Sequence, residues 1–428
     1  MFKIESPDLS YKSTFENFPE EIIFSIMCNL KPYETCLYSR ISKIFSRVAN
    51  SNELWKFYCL DKCLGCHYKT DDWKKLFKKI EAYQGSPLEI ILKKNHILLK
   101  CFCDQDSVFA TYDTAQKALH LWNINDLKHP NQNLKNFSMM APSAKSGSNL
   151  EILAQSKDSA KIDIQFSETG LAIKNDSTFV IGIGKREMQL WEKGLDGWRN
   201  SRRFSNPENH SFFQIQFLSS EQQKIDRFKR FDLITMTETG KWHLWNTSTG
   251  EPELLMNAPN HTCGLLNLNH AFICHSETLV VQKDISQDSS HTISHCYRDK
   301  MGMDSHKNKI NCMLFEKGAS AEEDLLYTAS EDCIIKVWNC HSNLCTHTFL
   351  GHKGGISHIT LTNDKLFLIS CASDKTIKIW TKCGICIKTL SNLSETITCL
   401  KAGEKTIVGG AIDQTLKVWS FNANKHLN

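Results

Sequence analysis

Three segments in the last third of the chain share a pattern that few architectures satisfy: DCIIKVW ending at Trp338, DKTIKIW ending at Trp380 and DQTLKVW ending at Trp419. Each sets an Asp six residues before its Trp (Asp332, Asp374 and Asp413), and the tryptophans stand 42 and 39 residues apart. Apolar and polar residues alternate toward each Trp, which is the period of a half-buried strand and not of a helix. Upstream, His306 and His352 each precede an isoleucine by four residues, Ile310 and Ile356. A unit of about 40 residues does not bury its own apolar face, and stacking successive units supplies the missing core. The fold is therefore bound to be a stack of repeats.

The period, the His-Lys lead and the strand-ending Trp resemble the blades of WD-repeat propellers. That resemblance implies a hydrogen-bonded tetrad within each blade: a His before the innermost strand, a Ser or Thr on the next, the turn Asp and the Trp. Carried over, it gives His306, Thr328, Asp332 and Trp338 in one blade and His352, Ser370, Asp374 and Trp380 in the next. The last blade has Asp413 and Trp419 but Leu393 at the His position. Earlier, Trp122, Trp191 and Trp245 end alternating runs such as KALHLW and KREMQLW, with Gln116, Lys185 and Thr239 where the Asp would stand. One more unit carries His261, Leu265 and ETLVVQKD, with Gln282 at the Trp position. The expectation is an all-β propeller over 88–428 with seven blades, the first four degenerate. Polar stretches at 126–160, 196–211, 219–230 and 286–304 read as long loops. LEIIL at 88–92 is expected to supply the outer strand of the last blade and close the ring, which removes a sheet edge.

Ahead of the repeats, Phe18 to Trp55 changes to helical spacing. Ile22, Ile26 and Leu30 make one stripe, with Ile23 and Met27 beside it. Pro19 suits the first helical position and Glu20 and Glu21 the positive helix start. Pro32 closes this helix and opens a second; Leu37, Ile41, Ile44 and Val48 continue the pattern, and Asn52 is placed to cap a last helix carrying Leu54 and Trp55. So small a unit holds more apolar surface than it can bury, so a partner is expected. FPEEII, the following IM and L, RISKIF and NELWKFYC resemble the F-box in order, with Phe18 in place of the usual Leu. The resemblance implies a small all-α head over 15–62 that docks on the adaptor subunit of an SCF-type cullin–RING ubiquitin ligase. Its implied contact residues are Phe18, Pro19, Ile22, Ile26, Leu30, Leu37, Ile41, Leu54 and Trp55. Residues 1–14 are expected to be disordered, and 63–87 to form a helical linker. In that linker Trp73, Leu76, Phe77 and Ile80 share a face, lysines take the other, and Gly85-Ser86-Pro87 marks its end.

The chain offers little to catalysis. It contains no His-Glu-x-x-His, Walker-type loop or Gly-x-Ser-x-Gly. Cys59, Cys63, Cys66 and His67 have ligand chemistry for zinc but no second pair at finger spacing, so neither metal nor cofactor is expected. Many of the 18 cysteines, such as Cys312, Cys371 and Cys399, sit inside apolar strand patterns, which suits a reducing compartment: cytoplasm or nucleus. A net charge of +4 spread along the chain does not argue for nucleic acid, and no apolar run is long enough to span a bilayer. Neither a nucleic acid nor a membrane partner is expected. Binding remains, through the loops at the propeller mouth, where Lys307, Lys309, Lys353, Glu331 and Ser373 are the candidates. A basic mouth suits an acidic or phosphorylated peptide, yet no Arg follows Arg298, and Lys lacks the bidentate fork. The expected function is a non-catalytic substrate-recognition subunit of an SCF-type ligase, which binds a protein or peptide target. The alternatives are a scaffold propeller without a ligase, or a pathogen effector that exploits a host ligase in the host cytosol.

Overall fold

The computed structural model describes residues 18–62, 72–94, 96–99, 101–103, 108–113, 118–124, 171–174, 178–183, 187–194, 197–205, 210, 212–220, 222–257, 261–266, 270–275, 279–284, 294–296 and 306–421. Two compact units divide the chain. One takes Met1–Pro87, Trp380–Lys388 and Phe421–Asn428; the other takes Leu88–Ile379 and Thr389–Ser420. The N-terminal 14 residues, the 126–160 stretch and Cys63, Cys66 and His67 lie outside the described residues.

Among the described residues five helices come first: α1 (Glu20–Cys28), α2 (Pro32–Tyr38), α3 (Lys43–Ala49), α4 (Asn52–Lys62) and α5 (Trp73–Gln84). Their ends follow local chemistry. Pro19 is extended (ψ 144°) and caps α1 from outside, so the helix begins one residue later than expected. Pro32 starts α2, and Glu34 accepts the Lys31 N–H at 2.8 Å. The hydroxyls of Ser42 and Ser51 accept the N–H groups of Phe45 (3.3 Å) and Leu54 (3.4 Å). Ser51, and not Asn52, thus caps α4, because Asn52 is already inside the helix. Tyr58 ties the head together: its hydroxyl donates to the Met27 carbonyl at 2.5 Å and accepts from Thr35 at 2.7 Å.

Leu54 and Trp55, expected among the contact residues, are fully buried. Trp55 donates its indole N–H to the Ala49 carbonyl at 2.8 Å and packs against Phe77 of α5, ring centroids 5.3 Å apart and tilted by 58°. They are core, because α5 covers the face on which they lie. On α5 itself, Trp73, Leu76, Phe77 and Ile80 are buried as the spacing predicts, but Lys79 is buried with them and does not join the exposed lysines.

The strands form seven sheets among the described residues. Those at 212–257, 261–296, 310–349 and 356–390 each run four strands in sequence order. His96–Leu99, Val108–Asp113 and Ala118–Asn123 make a three-stranded sheet. A five-stranded sheet pairs Cys101–Cys103, in parallel, with Leu171–Lys174 and continues through Thr178–Ile183 and Glu187–Gly194 to Gly197–Ser205. The reading of 196–211 as a loop is corrected here. Gly197–Ser205 is a strand, and its polarity reflects its place at the sheet edge, where alternate side chains face solvent. Within 219–230 two short 3-10 turns, Gln222–Lys224 and Asp226–Phe228, replace a plain loop.

The seventh sheet joins distant sequence. Leu88–Lys94 pairs antiparallel with Thr415–Ser420, Leu88 opposite Ser420 and Ile90 opposite Val418, ahead of Thr406–Ala411 and Ile397–Ala402. The outer strand of the last repeat thus comes from just after the helical head. Lys417, nearly buried, sets its ammonium 3.4 Å from Glu89 and 2.8 Å from the Ser394 hydroxyl, which secures the pairing.

The core lies between sheets. Leu98, Phe109 and Ile124 pack on Cys399, Val408, Leu416 and Val418 of the next sheet. Phe204 and Val180 pack on Phe212, Ile215 and Trp245, and Leu265 and Phe272 on Ile310, Leu326 and Trp338. Gly410 shows how close one approach is: a Cβ there would stand 2.5 Å from the Leu98 Cβ. Gly410→Ala is expected to destabilise the fold by about 1–3 kcal/mol through overpacking. Thermal unfolding checks it; Leu98→Ala in the same chain keeps the close Cβ and should recover none of the loss.

Candidate functional site

Two surfaces carry the residues singled out by sequence, one on the head and one on the repeats. On α1 the apolar residues sort by single steps along the chain. Ile23 and Met27 are fully buried, whereas Ile22 and Ile26 are 45% and 46% exposed. Helical rotation explains the split, since neighbours in sequence point about 100° apart. Phe18 and, from α2, Tyr33, Leu37 (59%) and Tyr38 are exposed as well. Pro19 is exposed, and Leu30 and Ile41 are half-buried. Phe57 of α4 is exposed where Leu54 and Trp55 are not, a residue that the sequence reading passed over. The described head therefore presents apolar side chains from two consecutive helices.

On the repeats, the tetrad is present in atomic detail. His306 sets Nδ1 2.8 Å from Asp332 and Nε2 2.7 Å from the Thr328 hydroxyl, and Trp338 donates its indole N–H to the same hydroxyl at 2.9 Å. His352 repeats this with Asp374 at 3.0 Å and Ser370 at 2.7 Å. Trp380, which ends the next strand of that sheet, is fully buried. Burial disfavours the His352 imidazolium and outweighs the pull of Asp374, so its pKa falls below the ordinary value. A neutral ring with its proton on Nδ1 fits both partners: it donates to Asp374 and accepts from Ser370. Burial raises the Asp374 carboxyl, but the Lys353 N–H, the Thr376 hydroxyl and His352 together bring it below the usual range. For Asp332 burial is likewise overcome, chiefly by His306 and then by backbone N–H groups.

In the sheet at 212–257 half of the network survives, Trp245 donating to Thr235 at 2.8 Å. Asp413 lacks a His but keeps its turn, accepting from the Thr415 N–H at 3.1 Å and hydroxyl at 2.6 Å. Leu393, in the missing His position, is buried.

The same aspartates position the candidate binding loops. Asp332 accepts the Lys307 N–H at 2.9 Å and Asp374 the Lys353 N–H at 2.8 Å, so both lysines leave the fold at defined points. Lys307, Glu331, Lys353 and Ser373 are exposed and Lys309 is half-buried. Gly354 packs so tightly that a Cβ would lie 2.5 Å from the Ser373 hydroxyl, which brings Lys353 and Ser373 together. The residue after each turn Asp, namely Cys333, Lys375 and Gln414, has φ of 69°, 56° and 63°. Lys375 there reaches the Ser394 carbonyl at 3.0 Å and Glu395 at 3.6 Å. Ile412, 66% exposed, was missed by the sequence reading. Its signal was available, because it precedes Asp413 as Glu331 precedes Asp332 and Ser373 precedes Asp374.

Cys59 is buried with its thiol 3.5 Å from the Trp73 carbonyl. No cluster of three metal-binding side chains occurs among the described residues, and no described helix is long and apolar enough to cross a membrane.

Comparison with known proteins finds a domain match in each of the two regions. Residues 15–57 match the F-box domain, and residues 298–339 and 343–381 match the WD domain, G-beta repeat. The chain thus carries an F-box domain and WD repeats, and both kinds of domain typically serve as non-catalytic interaction adaptors. Among curated relatives, nuclear distribution protein nudF 1 of Talaromyces marneffei is 27% identical over 126 residues, which is 28% of this chain and 27% of that protein. Nuclear distribution protein PAC1-2 of Uncinocarpus reesii is 34% identical over 86 residues, 19% of this chain and 18% of its own length. The chain thus spans about a quarter or less of these relatives.

Thr328→Val should leave both the Trp338 indole and His306 Nε2 buried without a partner, at about 1–3 kcal/mol for each group. Thr235→Val strands only one indole, so its loss in denaturant unfolding is expected to be smaller. Acid should also weaken the fold in two steps. Because His352 resists protonation when folded, its contribution holds above pH ~6.5 and is lost as pH falls below that. Asp332 and Asp374 add a second loss below pH ~4. The urea midpoint is therefore expected to drop between neutral pH and about pH 5, less so in His352→Gln, which does not titrate.

Proposed function

We propose that the chain is a substrate receptor of an SCF-type ubiquitin ligase. The head, taken as residues 15–62 with a linker over 63–87, binds the ligase adaptor. The repeats, taken as a closed propeller over 88–428, hold the target. The exposed apolar row Phe18, Ile22, Ile26 and Leu37 carries this reading. Apolar side chains left on two short helices gain stability only when another protein covers them. The receptor itself performs no chemistry. It raises the effective concentration of target at the ligase, an effect that can reach orders of magnitude without new catalytic groups.

The target reads the loops bearing Lys307, Lys309, Glu331, Lys353 and Ser373, joined by Ile412. Lysines without arginines favour acidic side chains as point charges over bidentate phosphate recognition. Exposed Ile412 adds an apolar contact at one side. The place of action is the cytoplasm or nucleus. A ligase-free scaffold is the second reading, supported by the curated relatives, whose names speak of nuclear distribution and whose similarity covers part of the chain only.

A binding titration of the full chain against the adaptor separates the two. Covering Ile22 and Ile26 is worth about 1–2 kcal/mol each, so Ile22→Ala with Ile26→Ala should weaken adaptor binding on the order of 100-fold. Unfolding of that variant should stay close to the parent, since both side chains are already half in water. Failure of the parent chain to bind any adaptor would leave the scaffold reading.

A further inference from the structure

Five of the nine arginines in the chain, Arg199, Arg202, Arg203, Arg227 and Arg230, fall within 32 residues, and none lies in the loops discussed above. The fold brings two of them, Arg202 and Arg230, to one turn. Arg202 donates to the Ser248 carbonyl in the turn after Lys241–Trp245, and Phe204 packs beside Gly250 of the same turn. Thr247 of that turn donates its N–H to Asp232 at 2.8 Å, two residues beyond Arg230. Arg230 in turn pairs with Glu253 and stacks 4.9 Å from the Phe231 ring. Lys229 holds Asp226 at 2.5 Å. Asp226, Asp232 and Glu253 are thus engaged on the 226–253 side.

The strand Gly197–Ser205 contributes the remaining charge. It is nine residues long and the last strand in the order of its sheet. Arg202 and Phe204 anchor it, and Arg199, Ser201, Arg203 and Ser205 are exposed at alternate positions. A bulge at Ser201, opposite Leu190/Trp191, breaks the alternation, so Arg199 and Arg203 lie on opposite faces of the sheet; Ser201 donates to the Leu190 carbonyl at 3.3 Å. Across the strand, Glu192 stands opposite Arg199, but Arg203 faces the amide residue Gln189. An edge of this kind repels neutral and basic strands and admits one of opposite charge.

We propose that Gly197–Ser205 is a docking edge for an extended acidic protein segment, which adds as a further strand and sets carboxylates against Arg199 on one face and Arg203 on the other. Backbone hydrogen bonds supply affinity and the two arginines supply selection. This surface is separate from the loops around Lys307 and Lys353 and does not rest on the ligase reading.

The test uses the full chain and a fluorescein-labelled Glu-Val peptide of about ten residues in a Glu-Glu-Val-Val repeat, which carries Glu on both faces, followed by anisotropy, with the matching Lys-Val peptide and an oligouridylate as comparators. The Glu-Val peptide is expected to bind, and raising salt from about 0.05 to 0.5 M should weaken it. Arg199→Gln with Arg203→Gln should weaken it roughly tenfold or more. Both side chains are exposed, so this variant should unfold like the parent. Lys307→Ala with Lys353→Ala should leave the arginine-dependent part of the binding unchanged. Bound peptide should slow amide hydrogen exchange across 197–205. Equal binding by the Arg variant, loss only in the Lys variant, or binding without slowed exchange overturns the proposal. Arginine-dependent binding of the oligouridylate tighter than that of the peptide also overturns it, in favour of a nucleic-acid site.

Discussion

A hydroxyl group on the second strand of a repeat governs much of what the repeats display. Thr328 accepts from Trp338 and meets His306, so three side chains from three parts of the repeat share one buried oxygen. His306 then reaches Asp332, and Asp332 holds the Lys307 backbone. A chain of polar contacts therefore runs from the repeat interior to a surface lysine. Inside the fold such bonds are strong and their loss is costly, because no water replaces them. Ser370 does the same for His352, Asp374 and Lys353. Rigidity at the rim is inherited from the core.

The head works by a different economy. One turn of helix supplies both a core and a contact face, since Ile22 and Ile23 point in different directions, as do Ile26 and Met27. Tyr58 and Trp55 close the interior with hydrogen bonds to main-chain carbonyls and not with bulk alone. That leaves the outer apolar side chains uncommitted. In the repeats the exposed groups are mostly polar or charged, and the two arginine-bearing elements at 197–230 concentrate a kind of cation that the lysine-bearing loops lack.

How far the sequence could be read depended on whether function or geometry was written locally. The tetrads were legible because each needs a fixed residue type at a fixed offset, and the one-residue choice of Thr328 and Ser370 came out in register. The pairing of Leu88–Lys94 with Thr415–Ser420 was legible from an orphan strand pattern. By contrast Gly197–Ser205 read as a loop, because an edge strand needs few apolar residues to be stable in its sheet. Leu54 and Trp55 read as contact residues for the opposite reason: apolar spacing says which residues share a face but not what covers it.

Sequence alone determined the period of the repeats, the change from helical to strand spacing after Pro87, and the identity of the polar groups that lock two repeats. These follow from backbone periodicity and hydrogen-bonding capacity, which are properties of neighbouring residues. Tertiary structure alone decided which apolar side chains of the head stay in water, that α5 rather than a partner covers Trp55, and that arginines from Gly197–Ser205 and from 227–230 meet around one turn. Those outcomes depend on packing between segments far apart in sequence, and no local pattern encodes the neighbour that arrives.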